Sequence, residues 1–443
     1  MRGSQLDLRR VLVVGAGTSG RGAVSALSES ALEIAIVDDD LKRSDWMPTA
    51  YPNVVFYGTQ RAFLGTFGAT WATLVVLSPG FRPVAELMPS NAQVMGEIEL
   101  GYRLSSGTLV GVTGTNGKTS VTQMIQQMLS SSSMDAIAAG NIGVPLSEVA
   151  ARDGIKVIEI SSFQLASTIE LHLDVAVWTN FAPDHLDQHE SLAAYQEAKE
   201  RIWRNQDERD LRIINADDEV VRSSKRERGP REVTFSLSGQ GDYRVEKGKI
   251  VTPYGPLVRI ADMRRQIPHE VANLLCASAV ALELGASIDA ISEYILSFSG
   301  FEHRIEYVGE LEGVRFYNDS KATSPSATVS AVMAFPSVVL LAGGRNKDVD
   351  LREILTAKSH LKKVVVFGES AESLAQILSG AEVPYEMAWS MDEAVKKAYS
   401  SSKSGDAVLL SPANTSFDWY ENYGQRGLDF KDKVSKLLRE RGA

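Results

Sequence analysis

Short runs of apolar residues recur along this chain, and most of them break off at a glycine or a polar turn. Val11-Leu-Val-Val14 runs into Gly15-Ala-Gly-Thr-Ser-Gly20, Thr108-Leu-Val-Gly-Val112 into Gly114-Thr-Asn-Gly-Lys-Thr119, and Val338-Val-Leu-Leu341 into Ala342-Gly-Gly344. Further runs stand at 34–37, 74–77, 156–160, 175–180, 211–217, 314–317, 364–367 and 408–410. Apolar stretches of this length fit strands buried on both faces, as in a parallel sheet. Between them the spacing becomes helical: from Gly20 to about Ser28, over Val121–Leu129, over Ser191–Arg204 with Ser191 as N-cap, and over Pro268–Leu284, stopped by Gly285. Strand–helix alternation along the whole length predicts an α/β fold on parallel sheets. The pattern restarts near residue 105 and again after Gly300, so three α/β domains are expected, 1–105, 106–299 and 300–443. Residues 218–267 read as charged and short-stranded, with no assignable chemistry.

Composition narrows the class. At 443 residues and 44% apolar content the chain can fill several cores. A formal net charge of −10 argues against a nucleic-acid partner. The one basic run, Arg222–Arg231, is interrupted by Glu and Gly and reads as a solvated loop. The single cysteine, Cys276, falls in an apolar helical pattern, so no disulfide framework is expected. Residues 1–10 lack the apolar core of a signal peptide, and no apolar stretch approaches membrane-spanning length. A soluble, cytoplasmic protein with no membrane partner is the expectation.

Candidate chemistry gathers at the strand ends. Gly114–Thr119 lies between a predicted strand and a predicted helix, where backbone N–H groups and the helix N-terminus favour a phosphate. Lys118 is placed to reach outer phosphates, and the Thr119 hydroxyl to hold Mg²⁺. The generic eight-residue phosphate-loop pattern is met in part, since its first glycine position falls on Val112, between Gly111 and Gly114. A nucleoside triphosphate is the expected ligand. Gly15–Gly20, with Asp38-Asp-Asp40 after the next strand, matches the dinucleotide fingerprint. That turn suits NAD or the diphosphate of a nucleotide sugar, and no hydride-transfer constellation follows it.

Other positions stay open at this level. Glu159, at the carboxyl end of a strand, reads as an Mg²⁺ ligand or as a glutamate pointing out of a strand end. His185 and His189, one helical turn apart with Asp184 and Asp187, leave a zinc site conceivable. Lys199, among Glu197, Glu200 and Arg201, reads as a solvated surface residue. Asn273 reads as a satisfied core amide or a polar site residue.

Together these motifs resemble the Mur ligase family, ATP-dependent amide-forming enzymes of peptidoglycan synthesis. The likeness runs through Gly114–Thr119, Gly140-Asn-Ile-Gly143, Glu159 with Ser161-Ser-Phe-Gln-Leu165, and Asn180 to Asp187. It continues through Tyr195 to Lys199, His303-Arg304, Asn318-Asp-Ser-Lys-Ala-Thr323, Leu410-Ser-Pro-Ala413 and Gln425-Arg-Gly427. Ser-Ser-Phe-Gln-Leu and Asn-Asp-Ser-Lys-Ala-Thr are similar to the member that adds D-glutamate to UDP-N-acetylmuramoyl-L-alanine. The Asp-Asn-Pro-Arg motif of the diaminopimelate- or lysine-adding members is not found.

The resemblance implies a Rossmann-like UDP-binding domain over 1–105, a central P-loop ATPase-type parallel-sheet domain over 106–299, and a Rossmann-like amino-acid-binding domain over 300–443. It implies that Gly114, Thr115, Asn116, Gly117, Lys118, Thr119 and Ser120 hold ATP, joined by Asn273, Arg304 and Asp319, with His303 beside a domain hinge. Thr18, Ser19, Asp38, Ser78, Asn141 and Ser161 would take the UDP-linked substrate. Lys321, Thr323, Lys347, Ser416 and Tyr423 would take glutamate. Lys118, Glu159, His185 and Lys199 become the catalytic set, and Thr119, Glu159, His185 and Lys199 the ligands of two Mg²⁺ ions. In that role Lys199 is carbamylated by CO₂, and His185 is displaced from the zinc reading. Tyr423 stands where phenylalanine is expected, and Gly343–Asp348 is a variant loop. A monomer acting through an acyl phosphate on small-molecule substrates follows. Two alternatives remain: a relative using L-glutamate or another acceptor, and a P-loop ATPase that does not ligate.

Overall fold

Each predicted apolar run forms a strand, and the strands gather into three sheets. A computed structural model describes residues 5–40, 51–79, 81, 83–183, 189–224, 229–346 and 349–441. The first sheet is wholly parallel, in the order Val54–Gly58, Glu33–Val37, Arg10–Val14, Leu74–Leu77, Gln93–Gly96. Its two faces explain the unbroken apolar runs. Val11, Val13, Ile34, Ile36, Leu74 and Val76 pack on one side with Val24, Leu27 and Leu100. Leu12, Val14, Ala35, Val37 and Val75 pack on the other with Phe63, Trp71 and Leu87. Successive side chains alternate faces, so a strand covered on both sides must be apolar at every position. Each such side chain removed from water contributes about 1.5–3 kcal/mol.

The second sheet has nine strands. Tyr243–Glu246, Arg231–Ser236, Leu211–Asn215, Val175–Trp178, Thr108–Thr113, Ile155–Glu159 and Ala136–Gly140 run parallel. Lys249–Thr252 and Gly255–Arg259 extend it antiparallel. The short strands expected within 218–267 are therefore an extension of this sheet. The third sheet runs Glu306–Leu311, Val314–Asn318, Ala407–Ala413, Val338–Gly343, Leu361–Phe367, Tyr385–Ala388, parallel apart from its first strand.

The chain divides into two compact units, Met1–Ser297 with the first two sheets and Phe298–Ala443 with the third. Within the first unit Glu97 joins the two sheets' layers: its Oε1 accepts both the N–H and the hydroxyl of Ser147, each at 2.7 Å. Burial raises the pKa of that carboxyl group. Among the described residues no helix is long and apolar enough to cross a membrane.

Candidate active site

The loop 114–117 leaves the strand Thr108–Thr113 and enters the helix Lys118–Ser131. Only glycine fits at two of its positions. At Gly114 (φ +152°) a Cβ would lie 1.9 Å from Thr179 Oγ1, and at Gly117 (φ +81°) 2.7 Å from Asn273 Oδ1. Thr179, Asn180 and Asn273 thus brace the loop. Asn116 N–H donates to Asn180 Oδ1 (2.8 Å), and Asn180 Nδ2 (3.0 Å) and Thr179 Oγ1 (2.7 Å) donate to Asn116 O. Asn180 had drawn no role from the sequence, although a polar residue just past a buried strand was the available signal.

Two ammonium groups converge on one loop carbonyl. Lys118 Nζ donates to Gly114 O and Thr115 O, each at 2.9 Å, and Lys199 Nζ donates to Gly114 O at 2.7 Å. Lys199 is 1% exposed, which overturns its reading as a solvated residue. The helix Leu192–Glu200 turns Tyr195, Ala198 and Lys199 inward, while Glu197 faces solvent. The Tyr195 ring lies under Lys199 Nζ at 4.6 Å, and the Tyr195 hydroxyl meets Thr115 Oγ1 at 3.2 Å. Flanking charges disguised an i,i+4 pair on the buried face.

Glu159 faces Val112 across the sheet and is 2% exposed. Its Oε1 accepts from Asn141 Nδ2 at 2.9 Å, whereas its Oε2 is buried with no hydrogen-bond partner among the described residues. A buried carboxylate oxygen without a donor is costly, and a hard divalent cation is the partner its chemistry suits. With the Thr119 hydroxyl at the start of the adjoining helix, the residues present fit Mg²⁺. Ser161 caps the helix Ser162–Ala166, its Oγ accepting from Gln164 N–H at 3.2 Å.

The zinc reading does not gain from His189. Its ring stacks on Phe163 (4.9 Å between centroids) and its Nε2 meets Ser162 Oγ at 3.0 Å. Asp184, His185 and Asp187 lie outside the described residues, as does Lys347.

In the first sheet Thr18, Ser19, Asp38 and Ser78 come together around a cavity of about 490 Å³, with Phe81 on its rim. Asp38 Oδ2 accepts from Ala16 N–H (2.7 Å) and Oδ1 from Asp40 N–H (2.8 Å), so this carboxylate shapes the glycine turn.

The remaining candidates belong to the second unit. Asp319 Oδ1 accepts from Ile305 N–H (3.2 Å) and Oδ2 from Ser411 Oγ (2.8 Å), tying Arg304's turn to a strand end. Burial holds the His303 imidazole below its ordinary range, so the ring is neutral at pH 7, and Asn318 Nδ2 donates to its Nδ1 at 2.8 Å. Lys321 Nζ lies 5.5 Å from the centre of the Tyr423 ring. Thr323 is half-buried and Ser416 is buried.

Comparison with known proteins accounts for this combination. Residues 112–281 match the family model of the Mur ligase middle domain, and residues 303–414 that of the Mur ligase glutamate ligase domain. UDP-N-acetylmuramoylalanine–D-glutamate ligase from Geobacillus kaustophilus is 37% identical over 447 residues, covering 97% of this chain and 98% of the relative. The protein of the same name from Thermoanaerobacter sp. is 36% identical over 456 residues, covering 98% and 100%. Among solved structures, MurF ligase from Thermotoga maritima in complex with ADP superposes with a TM-score of 0.60 at 18% identity, covering 97% of this chain and 99% of that one. UDP-N-acetylmuramate–alanine ligase from Thermotoga maritima gives 0.59 at 18%, with the same coverage. At such identity these two share the fold. With both family models matched in order and relatives above a third identical along nearly their full length, this chain belongs to the Mur ligase family.

Proposed function

We propose that this chain is a cytoplasmic, monomeric ligase that uses ATP to add D-glutamate to UDP-N-acetylmuramoyl-L-alanine in the assembly of peptidoglycan precursors. The observation that carries the chemistry is Glu159, a buried carboxylate with one oxygen unclaimed among the described residues at the strand end beside the phosphate loop. The choice of substrates rests on the activity for which the relatives above are named. Domain boundaries near residues 105 and 299 accompany this reading.

A free carboxylate cannot form an amide, because it would have to expel oxide. Moving the terminal phosphoryl group of ATP onto the alanyl carboxylate gives an acyl phosphate and ADP. The glutamate amine then attacks the carbonyl carbon and loses a proton, and phosphate departs with one oxygen of the former carboxylate. Several anions must meet, so the chain's task is charge neutralisation and positioning. We assign the backbone of Gly114–Ser120 to the ATP phosphates and Lys118 to the terminal phosphoryl group. Asn273, Arg304 and Asp319 are assigned to the nucleotide. Thr119 and Glu159 would hold Mg²⁺, which when bound neutralises the phosphoryl oxygens. The Lys199 ammonium, converted by CO₂ to a carbamate with loss of two protons, and His185 would hold a second ion. Thr18, Ser19, Asp38, Ser78, Asn141 and Ser161 are assigned to the UDP-linked acceptor. Lys321, Thr323, Lys347, Ser416 and Tyr423 are assigned to glutamate.

The test is phosphate release from ATP with the acceptor's carboxyl group labelled with oxygen-18. Release is expected to stay at background until D-glutamate is added, to remain low with L-glutamate, and to carry one labelled oxygen per turnover. Unlabelled phosphate would rule out the acyl phosphate, and release indifferent to the amino acid would mark an ATPase instead.

The brace on the phosphate loop makes a second expectation. Asn180→Ala removes both side-chain bonds to Asn116, each worth about 0.5–1.5 kcal/mol. The KM for ATP should rise about tenfold, with little change in the KM for the amino acid. An unaltered KM for ATP would deny Asn180 that role.

A further inference from the structure

Arg426 is fully buried in the helix Tyr423–Arg441, and its guanidinium reaches two other segments at once. Nε donates to Ser320 Oγ (2.9 Å), and Nη2 to Ser320 O (2.9 Å) and Asn414 O (3.1 Å). Nη1 donates to Asn414 O (3.1 Å) and Thr415 O (3.0 Å). Among the described residues none of these acceptors is a carboxylate. Burial lowers the Arg426 pKa to about 10, so the group stays a cation at neutral pH.

The placement of those acceptors is informative. Ser320 directly precedes Lys321, Asn414 and Thr415 directly precede Ser416, and Tyr423 lies one helical turn before Arg426. Ser320 Oγ also donates to Tyr423 O at 2.8 Å, closing the set. The loop preceding Lys347 leans on the same point, since Arg345 N–H donates to Thr415 O at 3.0 Å and Thr415 N–H to Arg345 O at 3.1 Å. A buried guanidinium hydrogen-bonded only to neutral oxygens is expensive even with the Asp418 carboxylate acting on it from nearby, and hydrophobic packing would hold the helix in place more cheaply. A planar fork of five donors has a use that packing lacks: it fixes the relative placement of separate backbone turns.

We infer that Arg426 is the positioning residue of the amino-acid site, its guanidinium setting Lys321, Ser416 and Tyr423 at the spacing that two carboxylates require. This rests on the assignment of those residues to glutamate made above.

The test is a set of full-length variants assayed for all three substrates. Arg426→Lys keeps the charge but offers donors from a single point, so it cannot serve both segments. It should raise the KM for the amino acid about tenfold or more, while the KM for ATP and for the nucleotide-linked acceptor change less than about twofold. Ser320→Ala removes one acceptor and one donor, and should raise the amino-acid KM about three- to fivefold by the same route. If Arg426→Lys does not melt cooperatively, Ser320→Ala decides. Three KM values rising together, or an amino-acid KM that does not move, would overturn the inference. Lys321→Ala separates the two levels. An amino-acid KM unmoved by Lys321→Ala would sink the site assignment itself, whereas a rise there without one in Ser320→Ala and Arg426→Lys would sink only the positioning role.

Discussion

Lys199→Ala should lower kcat by about a thousandfold or more, equivalent to about 4 kcal/mol in the barrier. Short carboxylic acids such as formate or acetate should then restore part of it. The argument begins with Gly114 O, on which Lys118 and Lys199 both donate. Two cations held close to one carbonyl repel each other, and more strongly in a buried setting than in water. Addition of CO₂ turns one of them into an anion with oxygens suited to Mg²⁺. Alanine leaves room for a small carboxylate at that place. Melting temperature, followed separately, reports what is lost by leaving Gly114 O without one of its donors. A Lys199→Ala enzyme that no carboxylic acid revives, alongside wild-type activity indifferent to CO₂-free buffer, would defeat the carbamate assignment.

Glu159→Gln should lower kcat by about a hundredfold and raise the Mg²⁺ concentration needed for half-maximal activity about tenfold. The substitution is nearly isosteric, and the retained amide oxygen can still accept from Asn141 Nδ2, as Glu159 Oε1 does at 2.9 Å. What changes is the oxygen without a donor, which becomes an NH₂ group that repels a cation. Removing a buried carboxylate also removes its desolvation cost, so the melting temperature without metal should hold or rise. A purely structural Glu159 predicts the reverse pattern, a lower melting temperature with unchanged Mg²⁺ dependence.

Much of the fold was legible in the sequence, and the gaps follow a rule. Val11–Val14, Leu74–Leu77 and Val338–Leu341 could be read as strands because both of their faces are covered. Five strands left no such mark: Val54–Gly58, Gln93–Gly96, Ala136–Gly140, Glu306–Leu311 and Tyr385–Ala388. Every one of them stands at the end of its sheet. An edge strand is paired on one side only and is partly exposed, so its side chains need not be uniformly apolar. The helix Pro268–Glu283 was legible for the opposite reason, since a long Ala/Leu-rich run with proline at its start has few other conformations.

The site divides in the same way. Local sequence determined the phosphate loop, because its turn depends on glycines and a helix start within a few residues of one another. It likewise determined the glycine turn Gly15–Gly20 and placed Glu159 at a strand end. Tertiary structure alone decided that Lys199 is buried on Gly114, 85 positions away, and that Asn180 clasps Asn116 across 64. It alone brought Arg426 to Ser320 across 106 positions. Those bonds form only once whole sheets have assembled, and a charged side chain looks the same in sequence whether water or a carbonyl awaits it.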